Sequence, residues 1–166
     1  MKNFDTLFLD RDGVINQKLE GKYVRDFSEF IFIPGSLRAI SELTSLFNRI
    51  IIITNQQGIA KGIMSESELH ILHKKMQVEI ENSGGKITKI YYCPHWQNAN
   101  CKCRKPQPGM ITNALVDFPD INIKNSYLVG DSDSDIEAGI KMNLITVKVS
   151  EDFSLINWTN ELNQMI

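Results

Sequence analysis

A chain of 166 residues with a net formal charge of −2, its 18 basic and 20 acidic residues mixed along the sequence, carries no basic field for a nucleic-acid backbone and no acidic tail. Hydrophobic residues at 42% and charged residues at 23% fit one folded domain over residues 1–166. An anionic substrate must then be held by locally placed cations or a metal. The longest apolar runs, "FIFI" and "IIII", fall far short of a membrane span, and "MKNFDTLFLD" lacks the pattern of a signal peptide. A cytoplasmic monomer with no membrane or nucleic-acid partner is expected.

In chain order, "DTLFLD" reads as a buried strand. After Pro34-Gly35, "GSLRAISELTSLF" places Leu37, Ile40, Leu43 and Phe47 at helical spacing. "NRIIIITN" is a second buried strand, rich in β-branched residues as central parallel strands are. Ser65 and Glu68 form a capping-box signature for a helix whose apolar face includes Leu69, Leu72, Met76 and Ile80, and Gly84-Gly85 stops it. His70 and His73 on that helix read as a solvated face. "KITKIYYC" is a third strand, residues 93–108 are irregular, and a helix follows from about Gly109 to Phe118. "SYLVGD" is a fourth strand, "SDIEAGIKM" a helix and "LITVKV" a fifth strand. Strands alternating with helices predict an α/β, Rossmann-like parallel sheet of about five strands with helices on both faces. One helix fills the interval between Gly62 and Lys86, and only about 35 residues separate the first motif from the second strand, so no separate cap domain fits.

In such a sheet ligands bind beyond the carboxyl ends of the strands. The first strand ends in Asp10 and Asp12, the second in Thr54-Asn55, the fourth in Gly130-Asp131. One acid at a strand end often merely begins a turn. Three acids opening on one crevice would repel unless a cation sat among them, and oxygen ligands of this kind suit Mg²⁺ with a substrate phosphate. "DSDSD" at 131–135 is not a calcium loop, because Ile136 and Met142 occupy the positions where such a loop needs glycine and glutamate. Asp135 is expected to support Asp131 or Lys105, or to cap the following helix.

"CPHWQNANCKC" offers Cys93, His95, Cys101 and Cys103, a Cys₃His zinc set whose four ligands would close the coordination sphere. Such a zinc is structural, and because Arg104 and Lys105 follow its last ligand directly, it would fix where two cations point. Trp96 within this loop either lines the substrate mouth or covers the loop's apolar underside; the residues leave both open.

"FLDRDGVIN", "IITNQQGIAKG", "CRKP" and "VGDSDSDIEAG" together resemble the four motifs of the haloacid-dehalogenase-like phosphatases, in the family's order, across residues 8 to 139. The resemblance implies that Asp10 is the nucleophile forming an aspartyl-phosphate and Asp12 the general acid and base. It implies Mg²⁺ bound by the side chains of Asp10 and Asp131 and the backbone carbonyl of Asp12. Thr54 and Asn55 would hydrogen-bond the transferring group, Lys105 would pair with Asp10 and phosphate oxygens, and Asn16, Gln56 and Arg104 would contact substrate. Ser132 departs from the Lys or Arg common in this subgroup.

The C-x-H-x5-C-x-C loop is similar to that of two phosphatase groups, acting on D-glycero-D-manno-heptose 1,7-bisphosphate and on histidinol phosphate. "CRKPQPGM" and "DGVIN" resemble the heptose group, whereas the short loop resembles the histidinol-phosphate group. Removal of the 7-phosphate from the heptose bisphosphate is the favoured expectation, with a phosphorylated sugar as partner. Without a cap, specificity would rest on the zinc loop and the segments near 16–30 and 57–64. The complete set Asp10, Asp12, Thr54, Lys105 and Asp131 speaks against a silent, zinc-stabilised binding module.

Overall fold

The structure, a computed structural model, describes residues 2–166. Five strands, β1 (Phe4–Leu9), β2 (Phe47–Asn55), β3 (Lys89–Cys93), β4 (Tyr127–Gly130) and β5 (Ile145–Lys148), form one sheet in the order β3-β2-β1-β4-β5. Every pairing is parallel. The helices are α1 (Ser36–Leu46), α2 (Glu66–Asn82), α3 (Gly109–Asp117), α4 (Asp133–Lys141) and α5 (Leu155–Gln164).

Alternation along the central strands splits the core in two. Leu7, Leu9, Ile50 and Ile52 pack with Ile40 and Leu43 of α1, Leu72 and Met76 of α2, and Trp158 and Leu162 of α5. Phe8, Ile51 and Ile53 point the other way, to Met110, Ile111 and Ala114 of α3 and Ala138 of α4. Both faces of the sheet are therefore covered, and its strands read as continuous apolar runs for that reason. The capping box predicted at Ser65 is present, with Ser65 Oγ accepting from Glu68 N–H and Ser65 N–H donating to the Glu68 carboxylate. Among the described residues no helix is long and apolar enough to cross a membrane.

One expectation needs correction. Phe47 is not the last turn of α1 but the first residue of β2, paired in register with Phe4. Its ring stacks on Phe4 at 5.0 Å and meets Tyr127 edge-on at 5.7 Å, and this aromatic cluster outweighs the helical spacing that links it to Leu43. Helix α5 has no counterpart in the sequence reading above; its Trp158 lies 5.8 Å from the Tyr127 ring and closes the same cluster.

Immediately after β1 the chain turns on Arg11, whose carbonyl accepts from the N–H groups of Val14, Ile15 and Asn16. It then leaves for an excursion and returns. Gln17 N–H donates to Ile31 O at 2.7 Å and Ile33 N–H to Ile15 O at 2.9 Å, which ties the base of that excursion beside the carboxyl edge of the sheet.

Phe47→Ala is expected to lower the unfolding free energy by about 3–5 kcal/mol, the cost of emptying a buried aromatic site. Equilibrium urea unfolding measures it; a loss below about 1 kcal/mol is what a frayed helix end would give instead.

Candidate active site

Because β1 lies between β2 and β4, the ends of all three open onto one crevice. Asp10 N–H continues the ladder onto Val129 O at 3.0 Å, so the carboxylate is placed by sheet geometry. Its Oδ1 accepts from Lys105 Nζ and from Arg11 N–H, each at 2.8 Å. Lys105 is 4% exposed and uses all three of its protons on protein acceptors: Asp10 Oδ1, Ile53 O at 2.9 Å and Asp135 Oδ1 at 2.6 Å. Asp135 also completes a capping box with Ser132 at the start of α4, so it fills two of the roles anticipated for it. Ser132 is spent on that cap.

Two glycines make this crowding possible. A Cβ on Gly130 would stand 2.2 Å from Asp135 Cβ, and one on Gly13 would stand 2.2 Å from Asp131 Oδ2. Gly13 also has φ +85°, a left-handed turn that disfavours any side chain.

Carboxylate oxygens of Asp10, Asp131 and Asp135 lie within 4.8 Å of one another. Three acids face one buried ammonium, with Lys18 Nζ reaching Asp131 Oδ2 only at 3.5 Å from an exposed stem. Burial, with the neighbouring Asp135, pushes Asp10 well above the usual carboxylate range against the pull of Lys105. Asp131 Oδ1 is buried and has no hydrogen-bond partner. An orphaned carboxylate oxygen beside two more acids is what a hard divalent cation satisfies, and its charge would also keep Asp10 ionised. These residues fit such an ion.

Asp12 occupies a different setting two residues away. Its Oδ1 accepts from Arg11 Nη2 and Asn16 Nδ2, both at 2.9 Å, and its Oδ2 from Gln56 Nε2 at 2.9 Å. Burial alone would raise its pKa, but the Arg11 guanidinium and these donors hold it below the ordinary range. The two acids thus have opposite tendencies, one pushed toward its neutral form and one toward its charged form.

The four zinc-type donors also converge. Cys93 Sγ lies 2.9 Å from Cys103 Sγ, 3.7 Å from Cys101 Sγ and 3.4 Å from His95 Nδ1, and His95 Nδ1 lies 3.1 Å from Cys103 Sγ. A tetrahedral zinc with Zn–S bonds of about 2.3 Å sets sulfurs roughly 3.8 Å apart, so the donor set fits that ion after small outward shifts. Burial and the adjacent Cys103 thiol push the Cys93 thiol up, while the Arg104 N–H and the neighbouring thiols outweigh burial and bring Cys101 down to about 6.

Several residues expected to touch substrate also hold other groups of the site, and Asn55 and Gln56 line the crevice as they do so. Asn55 clasps the backbone of Lys105, accepting from its N–H at 3.1 Å and donating to its carbonyl at 3.2 Å. Gln56 bridges Asp12 and Thr54, donating to Thr54 Oγ1 at 2.8 Å. Thr54 and Asn16 are fully buried and do not line the crevice. Arg104 does line it, and one of its buried N–H groups has no partner. Lys18, Lys22 and Tyr23, within the 16–30 segment expected to bear on specificity, also line the crevice. Trp96 is half-exposed with Lys61 over its ring at 5.6 Å, and it is not among the residues that line the crevice.

His73 corrects another expectation. It is buried at 5% exposure and its Nε2 meets Arg11 Nη1 at 3.1 Å, whereas His70 is exposed and touches the Tyr92 hydroxyl. Its position was readable: 69, 72, 73, 76 and 80 form one helical stripe, and all five are buried.

Comparison with known proteins adds an independent line. A family model described as polynucleotide kinase 3 phosphatase matches residues 5–162. D-glycero-alpha-D-manno-heptose-1,7-bisphosphate 7-phosphatase of Mycobacterium tuberculosis is 41% identical over 131 residues, 79% of this chain and 69% of the relative. The D-glycero-beta-D-manno enzyme of Pseudomonas putida is 38% identical over 134 residues, 81% of this chain and 75% of the relative. A crystal structure of D,D-heptose 1,7-bisphosphate phosphatase from B. bronchiseptica, complexed with magnesium and phosphate, superposes with TM-score 0.88 at 30% identity and covers 100% of both chains.

Wild-type protein is expected to melt at higher temperature as Mg²⁺ is added, by the equivalent of about 2.7 kcal/mol at a hundredfold excess over Kd. Gly13→Ala, by displacing Asp131, should abolish most of that increment, and a thermal-shift titration compares the two.

Proposed function

The chain belongs to the polynucleotide kinase 3 phosphatase family, within the haloacid-dehalogenase-like phosphatases, and from that membership we propose that it removes the 7-phosphate of a D-glycero-D-manno-heptose 1,7-bisphosphate through an aspartyl-phosphate on Asp10. One observation carries the reading. A carboxylate at the end of the central strand, with one oxygen anchored by a buried lysine, faces an acid cluster in a chain that is similar over its whole length to a phosphatase bearing magnesium and phosphate.

Each chemical role falls to a residue whose surroundings suit it. Asp10 Oδ1 is pinned by Lys105 and Arg11 N–H, which leaves the carboxylate's other oxygen to attack phosphorus. The P–O bond to the sugar breaks as the P–O bond to Asp10 forms, and Asp12, having taken up a proton from the entering phosphate or solvent as the anion arrives beside it, passes that proton to the departing alkoxide. Water then attacks the aspartyl-phosphate while Asp12 takes a proton back, releasing inorganic phosphate and restoring Asp10. Lys105 offsets the charge of Asp10 throughout. Asp10 and Asp131, with the carbonyl of Asp12, would hold Mg²⁺, which supplies charge neutralisation between an anionic nucleophile and a phosphate. Asp135 stays with Lys105.

Arg104, with its unpartnered buried N–H, and the rim lysines Lys18 and Lys22 supply cations for the substrate beyond its transferring phosphate. A second phosphate is the anionic group that a bisphosphate brings there. Cys93, His95, Cys101 and Cys103 would hold a structural zinc, with all four positions taken by protein and none left for water. Its task is to fix the loop whose next two residues are Arg104 and Lys105.

Phosphate release in the presence of Mg²⁺, measured on both anomers of heptose 1,7-bisphosphate and on histidinol phosphate, tests the assignment. The heptose esters should be preferred, and Asp10→Asn should lose at least about a thousandfold in kcat. Preference for histidinol phosphate would move the chain to that reading, and equal turnover by wild type and Asp10→Asn would end the role of Asp10. Removal of zinc with Mg²⁺ kept in excess is expected to lower kcat by about tenfold or more, as loss of a site's supporting shell does; full turnover by zinc-free protein would show the loop to be self-supporting.

A further inference from the structure

Arg11 is 1% exposed, the largest side chain buried so completely in the described structure. A guanidinium cannot shed its charge, so its orientation must come from what surrounds it. Nη2 donates to Asp12 Oδ1 at 2.9 Å, the Phe30 ring lies 5.7 Å below the guanidinium carbon, and Nε has no partner. Nη1 ends on His73 Nε2 at 3.1 Å. Remove that last contact, and the head group keeps one ion pair and an aromatic face, neither of which fixes rotation about its own plane.

We propose that His73 is a positioning residue for the general acid and base: its imidazole holds Arg11, and Arg11 in turn holds Asp12 at the orientation from which a proton reaches the leaving oxygen. The inference rests on the phosphatase reading above and extends it to a helix outside the four motifs.

The chemistry assigns the protonation of the pair. Arg11 has only donors, so His73 Nε2 must present its lone pair and the ring's proton sits on Nδ1. A second proton would set an imidazolium against the guanidinium. Burial and Arg11 accordingly keep His73 neutral, at a pKa of about 3, with Asp12 pulling the other way. His73 also lines a surface cleft with His70, Gln77, Ile90 and Tyr92, which gives its Nδ1–H a route to water. A neutral acceptor is required here. A carboxylate in its place would take Arg11's charge for itself and weaken its hold on Asp12.

The consequence is selective. An ester whose leaving group is a stable phenolate departs without a proton, whereas a sugar alkoxide does not. In His73→Leu, kcat/KM for heptose 1,7-bisphosphate should fall about tenfold or more, while kcat/KM for 4-nitrophenyl phosphate changes less than about twofold. His73→Gln, which restores an acceptor, should return the sugar ester to within about threefold of wild type. Equal losses on both esters, or no loss in His73→Leu, would overturn the role. If the leucine variant fails to fold, the wild-type imidazole answers instead. Its ¹⁵N resonances should show an unprotonated Nε2 and no titration near the ordinary histidine pKa of about 6.5, and a protonated Nε2 would overturn the contact. Those resonances judge His73 without turnover, whereas wild-type protein inert toward both esters would strike at the phosphatase reading.

Discussion

The ammonium of Lys105 holds three parts of the chain at one point. It is buried, and its three protons go to the end of β1 through Asp10, to the carboxyl end of β2 through the Ile53 carbonyl, and to the first turn of α4 through Asp135. A buried lysine with any of these acceptors missing would lose charge or draw in water, because burial works against its charged form and only the two carboxylates keep it protonated. Much of the surrounding sequence serves that placement. Asn55 grips the backbone on either side of the Lys105 α-carbon, Gly130 gives Asp135 room to approach, and Ser132 fixes Asp135 from its far side. The Cys₃His cluster ends two residues before Lys105 and holds the chain just upstream of it.

With the lysine committed to Asp10 and Asp135, the acids of "DRD" acquire separate chemistries. Extended backbone sends Asp10 toward the sheet's core, and the turn on Gly13 leaves Asp12 among amides and a guanidinium. Environments that push two neighbouring carboxyls in opposite directions divide nucleophile from proton carrier. Asp12 rests ionised because three side chains donate to it. In the proposed reaction a phosphate dianion arriving beside it would oppose that bias and raise its proton affinity, so that the same group could deliver a proton during the first half-reaction and collect one in the second. Gln56 links this acid to the buried Thr54 hydroxyl and so ties its position to β2.

Much of the architecture was legible from pattern alone. Runs such as Ile50–Ile53 announce a strand covered on both faces, and acids placed just past Leu9 and Gly130 announce where its ends open. Clustered cysteines beside a histidine marked the metal-type loop because free cysteines seldom gather so. What pattern could not supply was direction. Phe47 satisfies helical spacing and strand pairing equally, and only the Phe4, Tyr127 and Trp158 rings decide between them. Asn16, Asn55 and Gln56 were identified as polar groups near the crevice, but pattern alone did not show that they also brace Asp12 and Lys105, Asn16 from a fully buried position and Asn55 and Gln56 from the crevice wall. Arg11 went unremarked although it separates the two acids, since a charged residue beside others reads as solvated until its burial is seen.

Among the described residues no separate cap covers the crevice, and the segments beside it are stitched together. Gln57 Nε2 donates to the Tyr23 hydroxyl at 3.0 Å while its Oε1 accepts from Gln97 N–H at 2.5 Å, joining the excursion after β1 to the zinc-type loop. Lys61 lies over both the Tyr23 ring at 5.1 Å and the Trp96 ring at 5.6 Å, so a cation is clamped between the same two segments. None of these contacts belongs to an independent domain able to open and close as a body. Tyr23, which lines the crevice with Arg104, is thereby tied to the loop that carries the Cys₃His cluster. A metal held by these four donors would have no open coordination position, and its effect on the crevice would come from holding one short loop against another.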